Sequence, residues 1–201
     1  DVYLLRGAIV PGRGPDGNTT IFRTRRGLIV VDTGRHVWHS DAILAFSRAQ
    51  NRDIAAILNT HWHLDHSSGN RRLRAAFPNA PIYTTTAVDR ALAEGGFLTR
   101  SLADAQTAMA RTDLDPLQRE EMQIFVDTMA ERDALRPTMP VMHSQRMRIA
   151  GRALNVHVTD RAVTDADLWL YDRATHVAVI GDLVTLPAPF FETACPDRWS
   201  A

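Results

Sequence analysis

The stretch "NTHWHLDHSSGN", Asn59 to Asn70, places three histidines and an aspartate within six consecutive positions, His61 to His66. On an extended segment alternate side chains share a face, so His61 and His63 reach toward one point together. The turn that follows aims Asp65 and His66 at a second point nearby. Imidazole and carboxylate donors suit zinc and other borderline divalent ions. Ser67, Ser68 and Gly69 let the chain bend sharply behind the donors, while Trp62 and Leu64 read as packing residues that orient the loop. A histidine-rich surface loop is the competing reading, and the density of the pattern argues against it.

Outward from this motif the chain alternates strand and helix signals. Val2 to Val10, Thr19 to Arg23 and Gly27 to Val31 read as strands, with turn residues at Pro11 to Asn18 and at Arg25-Arg26-Gly27. A helix is expected from near Ser40, with Ile43, Leu44 and Phe46 as its apolar stripe. Ile54 to Leu58 is a short buried strand running straight into the histidines. A helix over Arg71 to Phe77 and a strand over Pro81 to Thr85 follow. Residues 86–137 change character: Leu92 and Leu98, then Leu102, Ala105 and Met109, then Met122, Phe125, Val126 and Met129 recur at helical spacing, predicting three helices. Pro116 suits the first residue of one. Strands return as two hairpins, Arg146 to Ile149 with Ala153 to Val158, and Leu168 to Tyr171 with His176 to Ile180. The order argues an α/β protein with helices outside layered sheets.

Composition bounds the function. The 201 residues carry no net charge, and all 23 basic residues are arginine. A balanced chain lacks the basic face of a nucleic-acid binder; Arg71, Arg72 and Arg74 are read as a solvated helix face. No apolar run approaches the ~20 residues of a membrane span, so a soluble chain is expected. No signal peptide is visible from Asp1 onward, and since a leader ahead of Asp1 could have been removed, cytoplasm and periplasm both stay open. The lone Cys195 excludes an internal disulfide and is read as packing.

With "GNTTIF" (Gly17 to Phe22), "VVDTG" (Val30 to Gly34) and "VIGDLV" (Val179 to Val184), the histidine stretch resembles the metallo-β-lactamase superfamily over nearly the whole chain. The resemblance implies an α/β fold, specifically an αβ/βα sandwich with the metal site at the edge between two sheets. Residues 1–201 then form a single domain, with 86–137 as a helical insertion between the second and third motifs. His61 and His63 would bind a first zinc ion, Asp65 and His66 a second, and Asp182 would bridge them. Asp32 would support the metal-binding loop through hydrogen bonds. The implied chemistry is hydrolysis of a small-molecule ester, thioester or lactam by metal-bound hydroxide. The metals would stabilise the oxyanion, and Asp65 would play the catalytic part of orienting the nucleophile or taking its proton. His63, where the flavo-diiron oxidoreductases carry a carboxylate, points to the zinc hydrolase side.

The chain departs from the family pattern twice. The third motif should read G-R-A-H-T, but Asp160 to Thr164 read DRAVT, so Val163 stands at the position of the third histidine. The last family ligand, a histidine after a further helix and strand, is not met before Ala201. Five of seven ligand positions are thus filled. The expectation is a hydrolase with one or two zinc ions and an impaired site. The alternative is a degenerate, non-catalytic relative that binds a ligand or partner; truncation at the C-terminus is a further explanation. His143, His157 and His176 are read as structural, and His36 and His39 as candidates for the pocket rim. Phe97, Phe125 and Met129 are candidate pocket walls.

Overall fold

A computed structural model describes residues 1–186 and 190–199. Strands β1 (Val2–Leu5), β2 (Thr19–Thr24), β3 (Gly27–Val31), β4 (Ile54–Leu58), β5 (Ile82–Thr84) and β6 (Met139–Pro140) form a six-stranded sheet in chain order. β1 to β3 are antiparallel and β3 to β6 parallel. A second, antiparallel sheet holds β7 (Gln145–Ile149), β8 (Arg152–Asp160), β9 (Ala166–Asp172) and β10 (Val177–Val179), in the order β10-β9-β8-β7.

Strand alternation divides the core in two. Phe22, Ile29, Val31 and Leu58 face the second sheet and pack on Leu154, Val156, Leu168 and Leu170. Their neighbours Ile21, Leu28, Val30 and Ile57 face the other way, toward Ile43 of α1 (Val37–Ala49) and Leu73 of α3 (Asn70–Ala76). β3 is therefore buried on both faces, which is why its sequence, GLIVV, is apolar throughout rather than alternating. Each such side chain contributes roughly 1.5–3 kcal/mol by leaving water.

Helices α4 (Ala87–Leu92), α5 (Phe97–Met109) and α6 (Pro116–Ala130) gather a third cluster in which Leu98, Met129 and Leu135 pack against Trp62 and Leu64. α6 starts at Pro116, as read from the sequence, and the Asp115 carboxylate accepts from the Leu117 and Gln118 amides. Among the described residues no helix is long and apolar enough to cross a membrane.

Three local readings need correction. The first strand stops at Leu5, because the Gly7 amide donates to Asn18 Oδ1 and Asp16 N to the Ala8 carbonyl, turning the chain into a packed loop. α1 begins at Val37 rather than near Ser40, whose hydroxyl bonds back to the Val37 carbonyl. The segment bearing His61 and His63 is not extended, since the chain bends over residues 60–62, and the turn read after it is a short helix, α2 (Leu64–Ser67).

Candidate metal centre

β3 and β4 are parallel neighbours and end side by side at Val31 and Leu58. Asp32 and the segment Asn59 to His61 therefore leave the sheet together. Asp32 adopts φ 61°, a left-handed conformation that costs a non-glycine residue about 1 kcal/mol or more. Its carboxylate offsets this cost. Oδ1 accepts from the Thr60 amide at 2.8 Å, and Oδ2 accepts from Thr60 Oγ1 at 2.9 Å and from His66 Nδ1 at 2.8 Å. Below it, Asn59 and Asn70 pair their amides at 2.7 and 3.2 Å, and Asn59 Nδ2 also donates to the His66 carbonyl at 2.9 Å. Every donor in this buried network has a partner, so the loop is held in one arrangement.

The network also sets which ring nitrogens are free. The Thr60 hydroxyl donates to Asp32, so its oxygen accepts from His61 Nδ1–H at 3.0 Å. That leaves the lone pair on His61 Nε2, which is buried with no hydrogen-bond partner. His66 donates from Nδ1 to Asp32, so its Nε2 is likewise the atom turned to the site, 3.1 Å from Asp182 Oδ1 and 3.4 Å from Asp65 Oδ2. Among the described residues one group of metal-donor atoms comes together: His61, His66 and Asp182, all within 4.8 Å of one another. The donor chemistry fits a divalent ion. Two imidazoles and a carboxylate converge, the imidazoles are oriented by oxygen partners, and one buried nitrogen has nothing else to bond.

His63 lies outside this group. Its Nε2 sits 2.7 Å from the hydroxyl of Thr193, and that hydroxyl donates to the Val163 carbonyl at 3.2 Å. A hydroxyl has one hydrogen, so His63 Nε2–H is the donor to Thr193. With the proton there, the ring's remaining lone pair is on Nδ1, which lies outside the group formed by His61, His66 and Asp182. Val163 itself is buried, 1% exposed, and carries no donor. The segment bearing Thr193 is fixed over it by the Cys195 amide, which donates to the Ala162 carbonyl at 2.8 Å.

Electrostatics separate the three histidines. Burial, together with repulsion from His66 and His63, drives His61 well below the ordinary imidazole range. Burial takes His63 down to about 4, with Asp65 opposing. Burial also opposes charge on His66, but Asp65, Asp32 and Asp182 outweigh it and raise His66 well above the usual value. For Asp65 burial is the largest single influence and favours the neutral acid, but the charge and hydrogen bond of His66, with His63 and a backbone hydrogen bond, together outweigh it and keep Asp65 below the ordinary carboxylate range. Two neutral imidazoles and an anionic cradle around the third suit a cation.

Of the donors, His66 and Asp182 line a cavity of about 790 Å³, together with His63 and Asp65, while His61 lies buried behind them. Phe97 and Phe125 line it, as read from the sequence; Met129 does not, being buried in the helical cluster beside Trp62. His36 and His39 are not rim residues either. His36 is buried with Nδ1 2.9 Å from Asp16 Oδ2 and Nε2 3.0 Å from Glu121 Oε1, tying α6 to the sheet, and His39 Nε2 meets Thr19 Oγ1 at 2.7 Å. Arg71 and Arg72 are paired with Glu131 and Asp41 rather than simply solvated. His157 stacks on Trp169, His176 meets the Tyr171 hydroxyl, and His143 is exposed. The sequence reading missed Thr60, Asn59, Asn70 and Thr193. The two asparagines carried a signal, since they bracket the motif at the end of an apolar strand; Thr193 carried none.

A sequence profile described as the metallo-beta-lactamase superfamily matches residues 12–195. A hydroxyacylglutathione hydrolase of Synechococcus sp. is 47% identical over 51 residues, 25% of this chain and 19% of that protein. The chain therefore aligns with less than a fifth of that relative's length. Among solved structures, a metallo-beta-lactamase from Pontibacter korlensis superposes with TM-score 0.64 at 18% identity, covering 96% of this chain and 74% of that one. A protein solved in a di-iron-bound form superposes with TM-score 0.53 at 18% identity, covering 91% and 77%. At these identities the structural likeness is one of fold.

Proposed function

The chain belongs to the metallo-β-lactamase superfamily, and from that membership we propose that it is a metal-dependent hydrolase acting on a carbonyl compound, with one ion held by His61, His66 and Asp182. The observation that carries this reading is the buried, unpartnered His61 Nε2 facing His66 and Asp182 across less than 4.8 Å. Zinc suits the nitrogen and oxygen donors; iron is the other candidate for two histidines and a carboxylate. When bound, such an ion supplies Lewis acidity, lowering the pKa of water and polarising a carbonyl oxygen.

The chain's own residues do the rest. Asp32 fixes the His66 ring through Nδ1, and Thr60 fixes His61 in the same way. Asp65 lines the cavity, and its backbone carbonyl accepts from the Gly17 amide at 2.9 Å, which anchors the turn that carries it. An ionised Asp65 accepts a hydrogen bond from the attacking water and orients it. Its lowered pKa makes it an orienting group more than a store for the proton. The local likeness to the Synechococcus hydroxyacylglutathione hydrolase supports a thioester among the candidate substrates, beside esters and lactams.

His63, in this reading, is not a ligand. It donates to Thr193 and holds the segment around Cys195 against Val163. The test is metal content and turnover together. The zinc-loaded chain should carry one equivalent by elemental mass spectrometry and cleave 4-nitrophenyl acetate or a thioester, and His66→Ala should lose both. Val163→His combined with Thr193→Ala, which restores a third imidazole and frees His63, should raise the metal content toward two. Val163 also favours a second reading, a non-catalytic binding protein. One bound equivalent with no turnover of any ester, thioester or lactam would select it.

A further inference from the structure

The cavity beside the metal donors has a wall whose chemistry narrows the substrate. Trp62, Leu98 and Phe125 line its inner part. Toward solvent the lining continues through Leu4, Ile9, Val184, Leu186 and Phe190, all of them exposed, Ile9 at 80% and Leu186 at 85%. Large apolar side chains scattered singly over a surface need no explanation. Five of them around one mouth, continuous with a buried apolar wall, do.

The cations of the same cavity are already committed. Arg13 and Arg35 are the two arginines that line it among the described residues, and His66, which also lines it, is held by Asp32, Asp65 and Asp182. Arg13 places Nη2 2.8 Å from Glu120 and Nη1 3.1 Å from Glu121, and its guanidinium lies over the Trp38 ring. Arg35 Nε is 3.3 Å from Glu121 Oε2, and Nη2 donates to the Glu121 carbonyl. Against these two, Asp16, Asp32, Asp65 and Asp182 also line the cavity. One divalent ion would balance the carboxylates at the donor cluster, leaving no spare positive charge for a substrate anion.

We infer that the substrate is an uncharged ester, thioester or lactone with an extended apolar acyl chain. The carbonyl lies beside His66 and Asp182, the donors that line the cavity, and the chain runs along Phe97 and Phe125 to the rim at Leu186. This rests on the hydrolase reading above for the reacting group, but not for the ligand class. The volume, about 790 Å³, lies within the usual 300–1,000 Å³ of small-molecule sites. Each methylene buried along such a wall is worth about 0.8 kcal/mol, roughly fourfold in affinity.

The experiment has two arms. In the first, the zinc-loaded chain is given 4-nitrophenyl esters from acetate to octanoate, and an ester of octanoate length ending in a carboxylate. The specificity constant should climb at least about 100-fold with chain length, the gain expected if only three to four of the added methylenes are buried at roughly fourfold each, mainly through KM, and fall at least about tenfold on adding the terminal carboxylate. Glu120→Gln, at a residue 52% exposed, releases part of the Arg13 charge and should recover roughly threefold on the carboxylate ester alone. In the second arm, octanamide and its ω-carboxylate analogue are titrated calorimetrically into the same protein, with no hydrolysis required. Turnover with a flat or inverted chain-length profile, or equal use of the carboxylate ester, overturns the inference and leaves the hydrolase reading standing. Octanamide binding at least about tenfold tighter than its carboxylate analogue, without turnover of any ester, supports the ligand class and overturns the hydrolase reading. Failure of octanamide to bind overturns the inference outright.

Discussion

The two sides of the metal centre were built under different constraints. On the first-sheet side, Asp32, Asn59, Thr60 and Asn70 form a closed hydrogen-bond network that fixes the His61 and His66 rings and leaves Nε2 of each toward the site. On the second-sheet side, Val163 supplies a carbonyl where the family pattern has an imidazole. Thr193 uses that carbonyl, and His63 spends its Nε2–H on Thr193. The first side orients the ring nitrogens of the proposed metal donors; on the second the corresponding groups are engaged in hydrogen bonds and packing. The fold does not require the metal centre to be complete. The sheets meet through Leu154, Val156, Leu168 and Leu170, and the Leu168 amide donates to the Thr60 carbonyl at 2.6 Å, contacts that do not use the Val163 side chain.

Substitutions can break this contrast. The largest effect is expected at Asp32. Asp32→Ala strips partners from the buried Thr60 amide and His66 ring and leaves a β-carbon at positive φ, so stability should fall by roughly 3–5 kcal/mol and metal should be lost. Urea unfolding and elemental analysis on one preparation check both; an unchanged midpoint would mean that the first side is not organised by this carboxylate. Gly17→Ala is next. A β-carbon there would come 2.8 Å from His66 Cε1 and 3.0 Å from the Asp65 carbonyl. Metal affinity should drop at least about tenfold for a stability cost of roughly 1–2 kcal/mol, read by competition with a chromogenic chelator.

The second side has its own probe. Asp167, buried and hydrogen-bonded by Thr164, is pushed up to about 6 by burial, against the bonds from Thr164. Its folded pKa is above its unfolded value, so the stability it contributes is full below about pH 4 and lost as pH rises through about 6. Asp167→Asn should flatten this part of the profile by about 1–2 kcal/mol between pH 4.5 and 7, measured as the difference in urea midpoints between variant and parent. An identical pH slope in both would show that Asp167 titrates normally. Thr193→Val is the mildest change. It should cost about 1 kcal/mol and move the His63 ring resonances in an NMR spectrum while leaving metal content unchanged.

Much of this was legible in the sequence because it is local. The strand Gly27–Val31 and the helix start at Pro116 follow from residues next to one another, and both matched to the residue. The histidine stretch was read as a donor set from its own spacing, whereas Asp182 was named only through the resemblance to the family. Which ring nitrogen each histidine turns to the site was not legible, since it depends on hydrogen bonds across 28 to 130 positions, from Thr60 to Asp32 and from His63 to Thr193. The same distance explains His36 and His39. Both follow a turn and look suited to a rim, but Asp16, Glu121 and Thr19 bury them from other parts of the chain.

The contrast between the two sides comes down to which histidine holds the ion. The most direct measurement is bound metal per chain, by elemental mass spectrometry after equilibration with zinc, for His61→Ala beside His63→Ala. Loss of the single equivalent in His61→Ala, with full retention in His63→Ala, is the expected result. Equal loss in both variants would contradict it and return His63 to the ligand set.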